Sequence, residues 1–196
     1  MNYDQQKTAL LVMDLQNDIV HENGKFAGWG LAAHVKQQHA LENTASVLDK
    51  ARKAGVKIIY IKVEHKAGYP EITNSKIVMY QGMKQAGALL EGEWGAQIHE
   101  AVKPQAGELV LVKRRINPFT IPQLRKELEG KETLLLAGVA TNFVVEECAR
   151  SAAAEDYNVI VLEDCCASMN QQMHDFPIKN ILPNLVTITT SKEILF

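Results

Sequence analysis

Two charged residues stand where the pattern around them is apolar. Asp14 closes the run Thr8-Ala9-Leu10-Leu11-Val12-Met13, and Lys113 closes Leu109-Val110-Leu111-Val112. A carboxylate at the rim of a core is partly desolvated, which raises its proton affinity, while a nearby ammonium lowers it. An aspartate and a lysine brought together at strand ends would therefore form a tunable acid/base pair. Taken alone, Asp14 also reads as a cap or turn residue, and a strand-end lysine is more often solvated. A third feature is the stretch Leu134 to Glu146, a strand, tight turn and helix pattern. Gly138 permits unusual backbone angles there, and a helix start at Asn142 leaves backbone N–H groups aimed toward a site. Arg114 and Arg115 follow Lys113; such residues usually face water, though either could hold an anionic substrate group.

These residues need elements to position them. Short apolar runs alternate with amphipathic stretches, predicting strands at Thr8–Asp14, Val56–Val63, Leu109–Lys113, Thr133–Ala137, Asn158–Glu163 and Leu185–Thr189. Helices are expected over Val35–Ala54, closed by Gly55, and over Ala96–Val102, Ile121–Glu129, Asn142–Asp156 and Gln171–Leu182. Near-continuous apolar strands separated by helices indicate a mostly parallel sheet covered on both faces, a three-layer α/β, Rossmann-like architecture. Ligands bind beyond the carboxyl ends of such strands. Asp14, Lys113 and the Gly138–Val144 turn all fall at those ends. The long connection from Lys66 to Gly95 has no strand or helix assigned, and loops of that length usually shape a site or an interface.

The 196 residues, 46% hydrophobic and 22% charged, fit one domain over 1–196 with one sizeable core. A net charge of -2, with both signs interspersed, supplies no basic field and argues against nucleic acid. The N-terminus lacks the pattern of a secretory signal, and no stretch has the length of a membrane span, so a cytoplasmic protein is expected. Three cysteines, Cys148, Cys165 and Cys166, have no spacing suited to a disulfide framework or structural zinc site.

Four motifs in order carry a family resemblance across nearly the whole chain. They are Asp14-Leu15-Gln16-Asn17-Asp18, Lys113 ahead of a segment reaching Phe119, the Gly138 turn with Ala149-Arg150 on the next helix, and Glu163-Asp164-Cys165-Cys166-Ala167-Ser168. The chain resembles the isochorismatase-like hydrolases, or cysteine hydrolases, which include nicotinamidases, carbamoylsarcosine amidases and isochorismatases. The resemblance implies an isochorismatase-type fold with a six-stranded sheet, a small-molecule substrate, and homo-oligomers, commonly dimers or tetramers. It also implies a cis peptide at Val139–Ala140 and an oxyanion hole formed by the N–H groups of Ala140 and Val144.

In that family the turn mounts a nucleophilic cysteine, and the matching position here is Val144. An isopropyl group can neither attack a carbonyl nor carry an acyl intermediate. Cys148, one helical turn further, reads as a small buried hydrophobe, and Cys165 and Cys166 as packing residues nearer the rim. The family's nicotinamidases carry an Asp-x-His-x-x-x-His metal site after the second strand. Here Val63-Glu64-His65-Lys66 and Tyr69-Pro70-Glu71 offer one histidine, so no metal or cofactor is expected. His174 reads as a hydrogen-bonded structural histidine. Isochorismatases proper hydrolyse a vinyl ether without the cysteine, with the aspartate as proton donor and water as nucleophile. The leading expectation is a noncovalent hydrolase of that kind using Asp14 and Lys113. The alternatives are a catalytically silent binding or scaffold homologue, and an amidase using a displaced thiol.

Overall fold

The structure, a computed structural model, describes residues 3–196. Its centre is a six-stranded sheet in the order β3-β2-β1-β4-β5-β6, parallel throughout, built from β1 (Thr8–Met13), β2 (Lys57–Val63), β3 (Leu109–Lys113), β4 (Thr133–Val139), β5 (Asn158–Ala167) and β6 (Thr187–Thr189). This is a doubly wound order, which reverses direction between β1 and β4 and opens a crevice beyond their carboxyl ends. β1 and β4 are buried at nearly every position because helices cover both faces.

Side chains alternate between two cores. Leu10 and Val12 of β1 and Leu135 and Ala137 of β4 face one layer, with α2 (Leu31–Gln37) and α3 (Ala40–Ala54). Ala9, Leu11, Leu134 and Leu136 face the other, with α5 (Pro122–Glu127) and α6 (Glu146–Ala154). The remaining helices are the short α1 (Asn17–Val20), α4 (Val78–Ala86) and α7 (Gln171–Phe176). Among the described residues, no helix is long and apolar enough to cross a membrane.

Several expected elements differ. The helix expected over Val35–Ala54 is two helices, parted at His39, whose φ of 52° is left-handed. Asn43 holds that corner by donating to the carbonyls of Gln38 and Asp164. No helix forms over Ala96–Val102. Asn17 N–H donates to the Gln97 carbonyl and His99 N–H to the Leu15 carbonyl, so this backbone is tied across to the end of β1 and makes only isolated 3₁₀ turns. The Lys66–Gly95 connection contains α4, ended by Gly87 at φ 62°. The expected helix over Asn142–Asp156 begins as a π-helical turn, Thr141–Val145, before α6; that expected over Gln171–Leu182 passes from α7 into a second π turn, Pro177–Ile181.

β5 runs four residues past the expected Glu163, with a register shift against β4 between Leu136 and Gly138. Cys165 and Cys166 therefore lie inside β5 near its carboxyl end, as expected, but fully buried and facing opposite cores.

Candidate functional site

β1 ends at Met13, and the backbone turns sharply at Asp14, whose φ is 59°. That left-handed conformation is uncommon outside glycine, although aspartate tolerates it better than most. It is held from both sides: Asp14 N–H donates to the Ile61 carbonyl at the end of β2, and Gln16 N–H to the Asp14 carbonyl. The carboxylate meets Lys113, with Nζ 2.7 Å from Oδ2 and both side chains more than nine-tenths buried. Lys113 also donates to the Ile116 carbonyl at 2.9 Å. Asp14 Oδ1 is buried with no hydrogen-bond partner. Burial pushes the Asp14 carboxyl above its ordinary range, and the Lys113 ammonium opposes that rise.

The next residues are the scaffold of the site. Gln16 is fully buried, donating to the carbonyls of Val63 and Ala96 and accepting from Val63 N–H. Asn17 donates to the Trp94 carbonyl, and Asp18 accepts from the N–H groups of Leu89 and Lys25. One pentapeptide thus supplies the acid and ties the end of β2, the stretch from Leu89 to Ala96 and the Lys25 turn around it. Gly95 is required by this packing, because a Cβ there would run into the Asp18 carboxylate.

β4 delivers the opposite wall. Gly138 has φ 137° and lies so close to β1 that a Cβ would strike the Met13 carbonyl oxygen. The Val139–Ala140 peptide is cis. In the π turn that follows, Thr141 is fixed by His174, whose Nδ1 is 2.8 Å from Thr141 Oγ1, and Asn142 Oδ1 accepts from the Ser168 hydroxyl. His174 is buried, and desolvation, assisted by nearby His34, lowers its pKa to about 4.

Asp14, Lys113, Val139, Ala140 and Val144 all line one cavity of about 560 Å³. Cys148, on α6 one turn beyond Val144, is fully buried in the core and lies outside that lining. Burial pushes its thiol up to about 12, as it does for Cys166, and raises Cys165 well above the ordinary thiol range. Such thiols stay protonated and are poor nucleophiles.

His65 is fully buried, with Nδ1 3.4 Å from Glu71, which also faces Arg114 at 3.5 Å and accepts from Lys66 N–H. Glu64 pairs instead with Lys62 at 2.8 Å. Among the described residues, no three or more His, Cys, Asp or Glu side chains gather in a way that could hold a metal ion.

Arg114 and Arg115 also line the cavity, whereas its apolar wall has no counterpart among the residues singled out in the sequence. Phe26 and Trp29 precede α2, Tyr80 and Met83 come from α4, and Met169 follows β5. Tyr80 ties its helix to the Lys113 segment, its hydroxyl accepting from Ile116 N–H at 3.1 Å. Only the apolar spacing of α4 could have pointed to this wall.

Comparison with known proteins agrees with the architecture. The Isochorismatase domain family matches residues 8–193. The chain is 31% identical over 199 residues to the ureidoacrylate amidohydrolase RutB of Caulobacter vibrioides, with 94% of this chain and 86% of that protein covered. A crystal structure of an isochorismatase-like hydrolase from Alkaliphilus metalliredigens superposes with a TM-score of 0.73 at 26% identity, covering 95% of this chain and 96% of that one. A cysteine hydrolase from Pseudomonas syringae pv. phaseolicola shares the fold with a TM-score of 0.83 at 22% identity, covering 98% and 92%. The chain belongs to the isochorismatase family of hydrolases.

Proposed function

We propose that this chain hydrolyses a small molecule by acid–base chemistry at Asp14 and Lys113, with water taking the place of the family's thiol. The observation that carries this reading is the buried pair itself: the Lys113 ammonium lies 2.7 Å from a carboxyl whose second oxygen has no partner, on the wall of a cavity. In this reading Asp14 transfers the proton, Lys113 sets its charge and orients the substrate, and the N–H groups of Ala140 and Val144 hold a negatively charged substrate oxygen. Val144 contributes only an apolar surface at the position matching the nucleophile, and the buried Cys148 thiol stays protonated. With a vinyl ether, Asp14 donates a proton to carbon, water adds to the resulting oxocarbenium ion while returning a proton to the Asp14 carboxylate, and the hemiketal collapses with cleavage of its C–O bond to release a carbonyl compound and an alcohol.

A second reading is favoured by the ureidoacrylate amidohydrolase relative: cleavage of a carbamoyl C–N bond, with Asp14 taking a proton from water as it attacks the carbonyl and returning it to the departing nitrogen. We further propose that the protein is a cytoplasmic, single-domain homo-oligomer, following the family resemblance.

The test is turnover of a panel of vinyl ethers, amides and ureides by the parent protein and by Asp14→Asn. Hydrolysis of one class that disappears in a folded Asp14→Asn variant supports the proposal. Turnover that survives the substitution, or no turnover across the panel, overturns it in favour of a displaced nucleophile or a silent binding protein respectively.

A further inference from the structure

The cavity above Asp14 holds about 560 Å³, within the range of pockets that take drug-sized ligands. Its wall is largely hydrocarbon and sulfur, from residues such as Phe26, Trp29, Met79, Met83, Ile116 and Met169. Phe26 and Trp29 stack with ring centroids 4.5 Å apart. Gly82 of α4 leaves space for that stack, since a Cβ there would stand 3.1 Å from the Trp29 ring. Such a surface gains little from a short, strongly hydrated ligand and much from one that buries carbon.

The charged side chains of Asp14, Lys113, Arg114 and Arg115 interrupt the wall. Asp14 and Arg114 both line the cavity, and each has one buried side-chain atom, Asp14 Oδ1 and Arg114 Nη1, without a hydrogen-bond partner. Arg114 reaches Glu71 only at 3.5 Å through Nε, long for a charge-assisted bond. Arg115 is different, because its guanidinium donates to the carbonyls of Arg114 and Glu71 and is spent on holding the loop. A guanidinium that borders an apolar cavity and leaves one of its N–H groups unpartnered favours an oxygen acceptor, best an anionic one.

From these observations we infer that the substrate is an amphipathic acid. A medium-length alkyl chain or aryl ring fills the apolar wall, an anionic oxygen sits on Arg114, and the bond to be broken lies over Asp14. The inference rests on the reading of this cavity as the substrate site, and binding tests it separately from chemistry.

Trp94→Phe leaves Trp29 as the single tryptophan of a chain that has two. In that background, Trp29 fluorescence is titrated with butyrate, hexanoate, octanoate and 1-octanol. Affinity should climb about fourfold for each added methylene among the acids, and octanoate should bind at least tenfold more tightly than octanol. Arg114→Gln should abolish the preference for octanoate over octanol and leave octanol binding unchanged, whereas Arg114→Lys should keep part of it. Equal affinity from butyrate to octanoate, no response to any acid, or a preference untouched by Arg114→Gln in folded protein overturns the inference. Chain-length-dependent binding without Asp14-dependent turnover sinks the proposed hydrolysis alone; turnover without such binding sinks the amphipathic substrate alone.

Discussion

The Lys113 ammonium at the end of β3 reaches across the end of β2 to lie 2.7 Å from the Asp14 carboxylate at the end of β1. Because both side chains are buried, each ion depends on the other to offset lost hydration. Lys113→Met should therefore destabilise the fold by about 3 to 5 kcal/mol at neutral pH, since it strands a carboxylate in the core. The loss should shrink on acidification, as the carboxyl takes up a proton. Asp14→Asn combined with Lys113→Met should recover much of the stability, because neither charge then remains. Urea unfolding of the two single variants and the double variant checks this; additive losses in the double variant would contradict a coupled buried pair.

The raised proton affinity of Asp14 gives a signed prediction for activity. If Asp14 donates the proton, as in vinyl-ether hydrolysis, kcat/KM should fall as pH rises through its elevated pKa, because the reactive form is the protonated one. If it serves as base toward water in C–N cleavage, kcat/KM should fall as pH drops through the same pKa. In either case the responsible limb should lie above the ordinary aspartate range, because burial favours the neutral carboxyl. A limb below that range would contradict the assigned burial effect. Substituting Asp14 by Asn should reduce the rate by about 10² to 10⁴-fold.

The sheet was legible because β1, β3 and β4 are near-continuous apolar runs and β2 and β5 contain such runs, and Asp14 and Lys113 announced themselves as charges closing two of them. Their meeting was less legible, since it depends on β1 and β3 both flanking β2, a matter of topology rather than local pattern. The split at His39 carries no glycine or proline to mark it. α4 was hidden for a related reason: Val78–Ala86 contains Gly82, has no side-chain cap, and is stabilised by contacts such as Tyr80 to the Lys113 segment. The apolar half of the cavity was thereby missed along with the helix that builds it. Gln16 and Asp18 read as part of a signature, while their work as ties to Val63 at the end of β2 and to Leu89 and Ala96 in the following connection follows only from long-range hydrogen bonds.

His174 should make the fold sensitive to mild acid. Its pKa is lowered from 6.5 to about 4 by burial beside His34, so below pH 6.5 the unfolded chain takes up a proton that the folded chain refuses until about pH 4. The neutral imidazole's contribution to stability is present above pH 6.5 and is lost as pH falls through that window. After allowance for partial solvent screening, this loss should be on the order of 1 to 2 kcal/mol. Comparing unfolding at pH 7 and pH 5 for the parent and His174→Asn measures it. An equal acid loss in both proteins would assign the effect elsewhere.

Val144 and Cys148, one helical turn apart, pack in the same core, but Val144 also borders the cavity and Cys148 does not, and alkylation can read the difference. Val144 lines the cavity, whereas Cys148 is fully enclosed among core residues with its thiol pushed up to about 12. The folded parent should therefore resist iodoacetamide at Cys148, Cys165 and Cys166, which are all buried. Val144→Cys should create one thiol that is modified in the folded state, near the Lys113 ammonium that favours its ionised form. Native turnover should not rise with it, because substrate recognition has its own requirements. Cys148→Ala should leave turnover largely intact and cost on the order of 1 kcal/mol from lost packing. Peptide mass mapping after alkylation locates each adduct. Covalent substrate on Cys148 of the parent, with activity lost in a folded Cys148→Ala variant, would show that Cys148 is the nucleophile and would replace the water mechanism.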